Sequence, residues 1–313
     1  MSRSWPLSVH ASLKFGWLLA IAAGLHTESA RAADQREAVA NRHAVLQRVR
    51  RHFDLVDFYK PRRGDPIDFS YYLSPLICQE VLAGSAAPHG SFGSVVREAP
   101  HQFRVDSQQP TVYAERRSVV VDGCHHDQLI FVWCYDVSTA GELTAQGVRM
   151  TLDRKGFPAV LEVLTDSSGL RLIFVSLRLE KAAAAQYGPP PSGCRYSVER
   201  SRPGSSKLLV ARVIDDGPAP MGPYVYLDAA AHDVVNLRCR CATLQARRFR
   251  RSIPYRFLPL SDLRLLGFRI DFASGTARLG RSTNSEDAGP AIPETQPSAA
   301  PYWARRLRLP SSF

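Results

Sequence analysis

Lysine is nearly missing from this chain: five of its 40 basic residues are Lys, and the other 35 are Arg. Arg, Ala and Pro enriched together are what a GC-rich coding sequence produces unaided. The formal net charge of +11 therefore implies solubility and loose anion affinity rather than a particular partner. Catalytic motifs are missing too. Gly90-Ser91-Phe92-Gly93 has the wrong spacing for a nucleophile elbow. Gly84, Gly90 and Gly93 precede no helical run, which excludes a phosphate loop or a dinucleotide fold on this pattern. Neither CxxC nor HxxxH knuckles occur, and no carboxylate pair stands out. Asp215-Asp216-Gly217 begins like a calcium loop, but Pro, Ala and Met occupy the later ligand positions, so it reads as a turn. Arg63-Gly64-Asp65 is turn chemistry in an Arg-rich chain and carries no weight. No internal repeat is visible.

Long apolar runs are lacking everywhere except near the start. Arg3 and Lys14 precede the uncharged stretch from Phe15 to Leu25, and Ala30-Arg31-Ala32 supplies small residues at the spacing a signal peptidase requires. A run of this length is about half of a spanning helix. The expectation is a signal peptide over 1–32, cleaved between Ala32 and Ala33, and a soluble secreted or periplasmic protein without a transmembrane segment. No twin-arginine pair precedes the run and no Cys stands at the cleavage site, which disfavours a lipoprotein.

Val39, Leu46, Val49, Phe53 and Val56 recur at helical spacings among arginines and predict an amphipathic helix over 34–57. Asp34 and Glu37 read as its capping box. From about Val95 the texture turns to strands. Gln128 to Tyr135 is apolar on both alternating faces, which predicts a central strand covered on both sides. Residues 147–153, 159–165 and 170–176, divided by Lys155-Gly156 and by Asp166-Ser167-Ser168-Gly169, read as an antiparallel meander. A helix over 179–187 stops at Gly188 and three prolines, and strands follow at 207–214, 224–227 and 234–239. Residues 281–301 offer only Ile292 to bury and predict disorder, ending in the basic-aromatic terminus from Tyr302 to Pro310, read as a frayed end.

The six cysteines are Cys78, Cys124, Cys134, Cys194, Cys239 and Cys241. In an exported chain an even number reads as up to three disulfides, with Cys134 as an alternative buried thiol. The competing reading is a metal site. Cys124-His125-His126-Asp127 lies at a turn, and Cys239 and Cys241 share a strand face by alternation. If the segments met, Cys124, His125, His126, Cys239 and Cys241 would suit Zn or Cu. Otherwise no cofactor is expected. Arg247, Arg248, Arg250 and Arg251 surround Phe249, with Tyr255 and Phe257 close behind. That mixture suits anion binding, and export places an acidic glycan or another envelope component ahead of nucleic acid.

The expectation is one α+β domain over 33–280: a mainly antiparallel β-sheet with a short N-terminal helix, then a disordered C-terminal tail over 281–313. Its function reads as a non-enzymatic binding or structural module of the cell envelope; the alternative is a metal-binding or metal-dependent protein.

Overall fold

The computed structural model describes residues 39–64, 72–82, 90–99, 102–136, 143–200, 207–271, 276–281 and 300–313. The expected leader, the capping box and most of the expected disordered tail lie outside the described residues.

A helix over 39–48, α1, leads into β1 (Phe53–Pro61). Then come β2 (Leu76–Glu80), β3 (Ser94–Ala99), β4 (Gln102–Asp106), β5 (Thr111–Val121), β6 (Cys124–Asp136), β7 (Leu143–Leu152), β8 (Pro158–Val163) and β9 (Arg171–Ser176). Helix α2 (Leu177–Tyr187) precedes β10 (Leu208–Ile214), β11 (Pro223–Leu227), β12 (Val234–Cys239) and β13 (Ala246–Pro259). Helix α3 (Leu260–Leu265), β14 (Phe268–Asp271) and β15 (Thr276–Arg281) complete the set.

Eleven strands form one sheet in the order β10-β9-β8-β7-β6-β5-β13-β1-β2-β11-β12, curled nearly into a barrel. This overturns the mainly antiparallel α+β expectation. The pairs β9–β10, β5–β13, β1–β13 and β2–β11 are parallel. Side-chain periodicity reports which face of a strand is buried but not which strand lies beside it, so a strand from residue 246 onward can slot between β5 and β1 unannounced. The three strands β7, β8 and β9 do form an antiparallel meander.

The N-terminal helix is shorter than its periodicity predicts. Phe53 and Val56 are fully buried strand residues of β1, not part of a helical stripe. The segment is rich in aromatic and β-branched residues, which favour the pleated surface once neighbouring strands are available on both sides.

All eleven strands send side chains inward. Tyr59, Ile77, Val112, Phe131, Met150, Leu161, Phe174, Leu209, Val225, Leu237 and Tyr255 belong to one cluster, closed by Val45 and Val49 from α1 and the turn after it. The interior is thus a packed core rather than a ligand cavity. β6 shows why this strand is apolar on both faces. Leu129, Phe131, Trp133 and Tyr135 point into the barrel, while Ile130, Val132 and Cys134 pack outward against α3 and Phe268.

The second helix has readable ends. The Ser176 hydroxyl accepts from Leu179 N at 3.1 Å, and the C-cap Gly188, at φ 79°, donates to Ala184 O. It bridges the parallel strands β9 and β10, as a parallel neighbour requires a crossover.

Residues 300–313 are not frayed. Trp303 and Leu307 are fully buried, and Leu309 and Phe313 nearly so, against Val121, Val160, Val175, Leu179 and Val210. Arg308 N donates to Val198 O at 2.7 Å, and the Tyr187 hydroxyl donates to Leu309 O at 2.5 Å. Composition averaged over 281–313 hides this, because the apolar residues concentrate in the last dozen positions and their docking face lies elsewhere in the chain.

Candidate functional site

The residues expected to gather around a metal are dispersed by the fold. Cys124 and His126 share one face of β6, and His125 faces the other way. Cys124 Sγ accepts from Arg154 Nη2 at 2.7 Å. His125 lies exposed, 3.3 Å from the Ser118 hydroxyl. His126 is a core residue: its Nδ1 is 2.9 Å from Leu152 O, and its ring stacks on Phe313 at 4.4 Å. Cys239 and Cys241 are bonded to each other, so their sulfurs are engaged. Among the described residues no three His, Cys, Asp or Glu side chains converge as a metal cage would need. Cys78 and Cys134 are buried thiols outside this bond; burial pushes the Cys134 thiol up to about 12 and raises Cys78 as well.

The arginine cluster occupies the first half of β13. Arg247, Arg248 and Phe249 are exposed, and Phe249 is 45% accessible. Phe249 meets Phe58 of β1 edge-on at 5.4 Å, and Phe58 meets Tyr224 of β11 at 6.5 Å. Tyr224 continues to Tyr226 at 6.3 Å, which stacks on Phe53 at 5.5 Å, with Arg51 lying over Phe53. The strip crosses β2 because Cys78, opposite both Phe58 and Tyr226, is small enough for rings to close over it. On the next strand Arg238 stands opposite Tyr224. Sequence reading picked out the cations and Phe249; it missed Phe58, Tyr224 and Tyr226, which only strand order brings alongside.

Arg250 and Arg251 both bind one carboxylate. Arg250 donates through Nε and Nη2 to Asp57 at 2.8 and 2.6 Å, and Arg251 Nη2 donates to the same carboxylate at 2.5 Å. Burial alone would raise Asp57, but the two guanidinium groups outweigh it and hold its carboxyl below the ordinary value. Two cations on one anion leave one positive charge uncompensated. Arg247 contributes a fully solvated pair with Asp54 at 3.3 Å. This edge therefore presents rings for stacking beside guanidinium groups for anions.

At the seam between edge strands β10 and β12 lies an open cleft lined by Phe157, Leu161, Asp215, Asp216, Met221 and Cys239. The Asp216 carboxyl accepts the Arg178 N–H in the first turn of α2; burial still outweighs this and raises its pKa.

No protein-family model matches this chain, and no curated protein or solved structure matches it either.

Proposed function

We propose that this protein is an exported, non-enzymatic module that binds an acidic polysaccharide of the cell envelope along the basic-aromatic edge of β13, β1 and β11. The observation that carries the reading is the run of rings Phe249, Phe58 and Tyr224, with the exposed residues Arg247 and Arg248 preceding Phe249 on the same strand. Sugar rings pack their apolar faces on aromatic side chains, and guanidinium groups take carboxylate or sulfate oxygens in bidentate fashion. The uncompensated charge at Arg250 and Arg251 adds to the same field.

Titration with a short heparin chain, as a polyanionic glycan probe, tests the reading. Binding that weakens with salt, and falls about tenfold or more in Arg247→Glu/Arg248→Glu and in Phe249→Ala, is expected. The Phe249→Ala arm separates ring stacking from mere charge. Glycan binding unaffected by Phe249→Ala, or single-stranded DNA binding more tightly than the glycan, overturns it.

A further inference from the structure

We propose that Cys239 and Cys241 are a redox-active pair that exchanges its disulfide with a substrate dithiol reaching the exposed Cys241 sulfur, beside the cleft between β10 and β12. This stands on different residues from the glycan reading and survives or fails separately. β12 ends at Cys239, and the next residues turn so that Cys241 folds back onto it. The bond closes a loop spanning a single intervening residue, Arg240. The constraint a disulfide places on an unfolded chain grows with the length of the loop it closes, so this bond is near the least useful for stability. β12 is in any case already held by its ladder with β11. Cys78 and Cys134 show the opposite treatment, each a buried thiol without a bond.

The two sulfurs sit in unlike surroundings. Cys241 is exposed and 3.6 Å from Asp216 O, whereas Cys239 is nearly buried and lines the cleft. An incoming thiolate can therefore reach only the Cys241 sulfur readily. Cys239 is then the leaving sulfur, and the Cys241 N–H already points at it from 3.1 Å, placed to stabilise negative charge there. Asp216 shares the cleft wall with Cys239. Burial raises its pKa above the ordinary carboxyl value, which favours the protonated form that can hand a proton to the departing sulfur.

A substrate thiolate attacks Cys241 Sγ; a substrate–Cys241 bond forms, the Cys239–Cys241 bond breaks, and its electron pair leaves on Cys239, which takes a proton. A second substrate thiolate attacks the substrate sulfur of that mixed disulfide and expels the Cys241 thiolate, which is protonated in turn. The substrate dithiol is oxidised to a disulfide by two electrons, and the Cys239–Cys241 pair is reduced to two thiols. A low-molecular-weight disulfide such as oxidised glutathione resets the pair by the reverse exchange.

The test uses the full-length folded protein. The pair is reduced in glutathione buffers of graded ratio, quenched in acid, alkylated, and read peptide by peptide. Expected is reversible reduction and re-formation of the Cys239–Cys241 bond without unfolding. In the reduced chain, the exposed Cys241 should form a mixed disulfide with oxidised glutathione about tenfold faster than the half-buried Cys124 or Cys194, because access of the attacking sulfur limits the rate. Asp216→Asn should shift the pH dependence of this rate while leaving the fold intact. A pair that stays oxidised in every folded-state buffer, or a Cys241 no faster than Cys124 and Cys194, overturns the proposal. Because the comparison is made within one unmutated molecule, misfolding of a variant cannot obscure it.

Discussion

The imidazole of His232 lies flat on the ring of Tyr135, with centroids 3.9 Å apart and planes 12° from parallel. Tyr135 is fully buried inside the barrel, and His232 closes over it from the loop before β12 with a backbone φ of 57°. Its Nε2 is buried without a hydrogen-bond partner. The ring is also close to Gly90: a Cβ there would come within 2.2 Å of that nitrogen.

Gly90 therefore cannot carry a side chain without disturbing the stack. It also holds φ at 77°, which strains any L-residue. Gly90→Ala should cost about 1–3 kcal/mol in chemical denaturation. Adding His232→Ala should recover part of that loss, because it removes the clash and leaves only the backbone strain. A double variant weaker by the full sum of the single losses would contradict the contact.

His232 also makes stability depend on pH. Burial lowers its pKa, with Asp228 opposing more weakly. Below the ordinary value of about 6.5 the unfolded chain binds a proton that the folded chain resists, so stability falls as pH falls through that value. Denaturation of the wild type and of His232→Asn should show a difference that shrinks from about pH 8 to about pH 5.5. Asn tolerates positive φ and does not titrate there. A constant difference would show that the ring stays equally easy to protonate in both states.

The C-terminal segment should act as part of the core. Trp303 is fully buried and meets Phe313 edge-on at 6.1 Å, and Phe313 in turn covers His126. Trp303→Ala should cost about 3–5 kcal/mol, as for other buried large-to-small changes. A thermal or denaturant midpoint equal to that of the wild type would mean the segment is not docked in solution.

Alkylation of the denatured, unreduced protein should label four cysteines, Cys78, Cys124, Cys134 and Cys194, and leave Cys239 and Cys241 unlabelled. After reduction all six should label. Mass spectrometry reads the count directly; no labelling before reduction would instead mean three disulfides.

Local chemistry made part of this molecule readable. The turns Lys155-Gly156 and Asp166 to Gly169 separate apolar runs whose strands can only fold back on one another, and β7, β8 and β9 do so. Gly188 ends α2 as its φ allows. The double-sided apolar pattern of β6 matches its place between two cores. At the candidate sites the arginines of β13 and both cysteines of the bonded pair were visible as residue types, but their roles were not. Alternation suggested that Cys239 and Cys241 point side by side at an ion, whereas the chain turns after Cys239 and joins them.

Tertiary structure decided everything that depends on distant neighbours. The insertion of β13 between β5 and β1 turns Phe53 and Val56 into strand residues, gathers the rings of Phe249, Phe58 and Tyr224, and sets Asp57 between two arginines. The same holds at the terminus, where Trp303 and Leu307 are buried because β9, β10 and α2 leave an apolar face for them. Periodicity and turn residues act over a few positions and are written in the sequence itself. Burial is settled by which surfaces meet, and those surfaces here come from segments far apart along the chain.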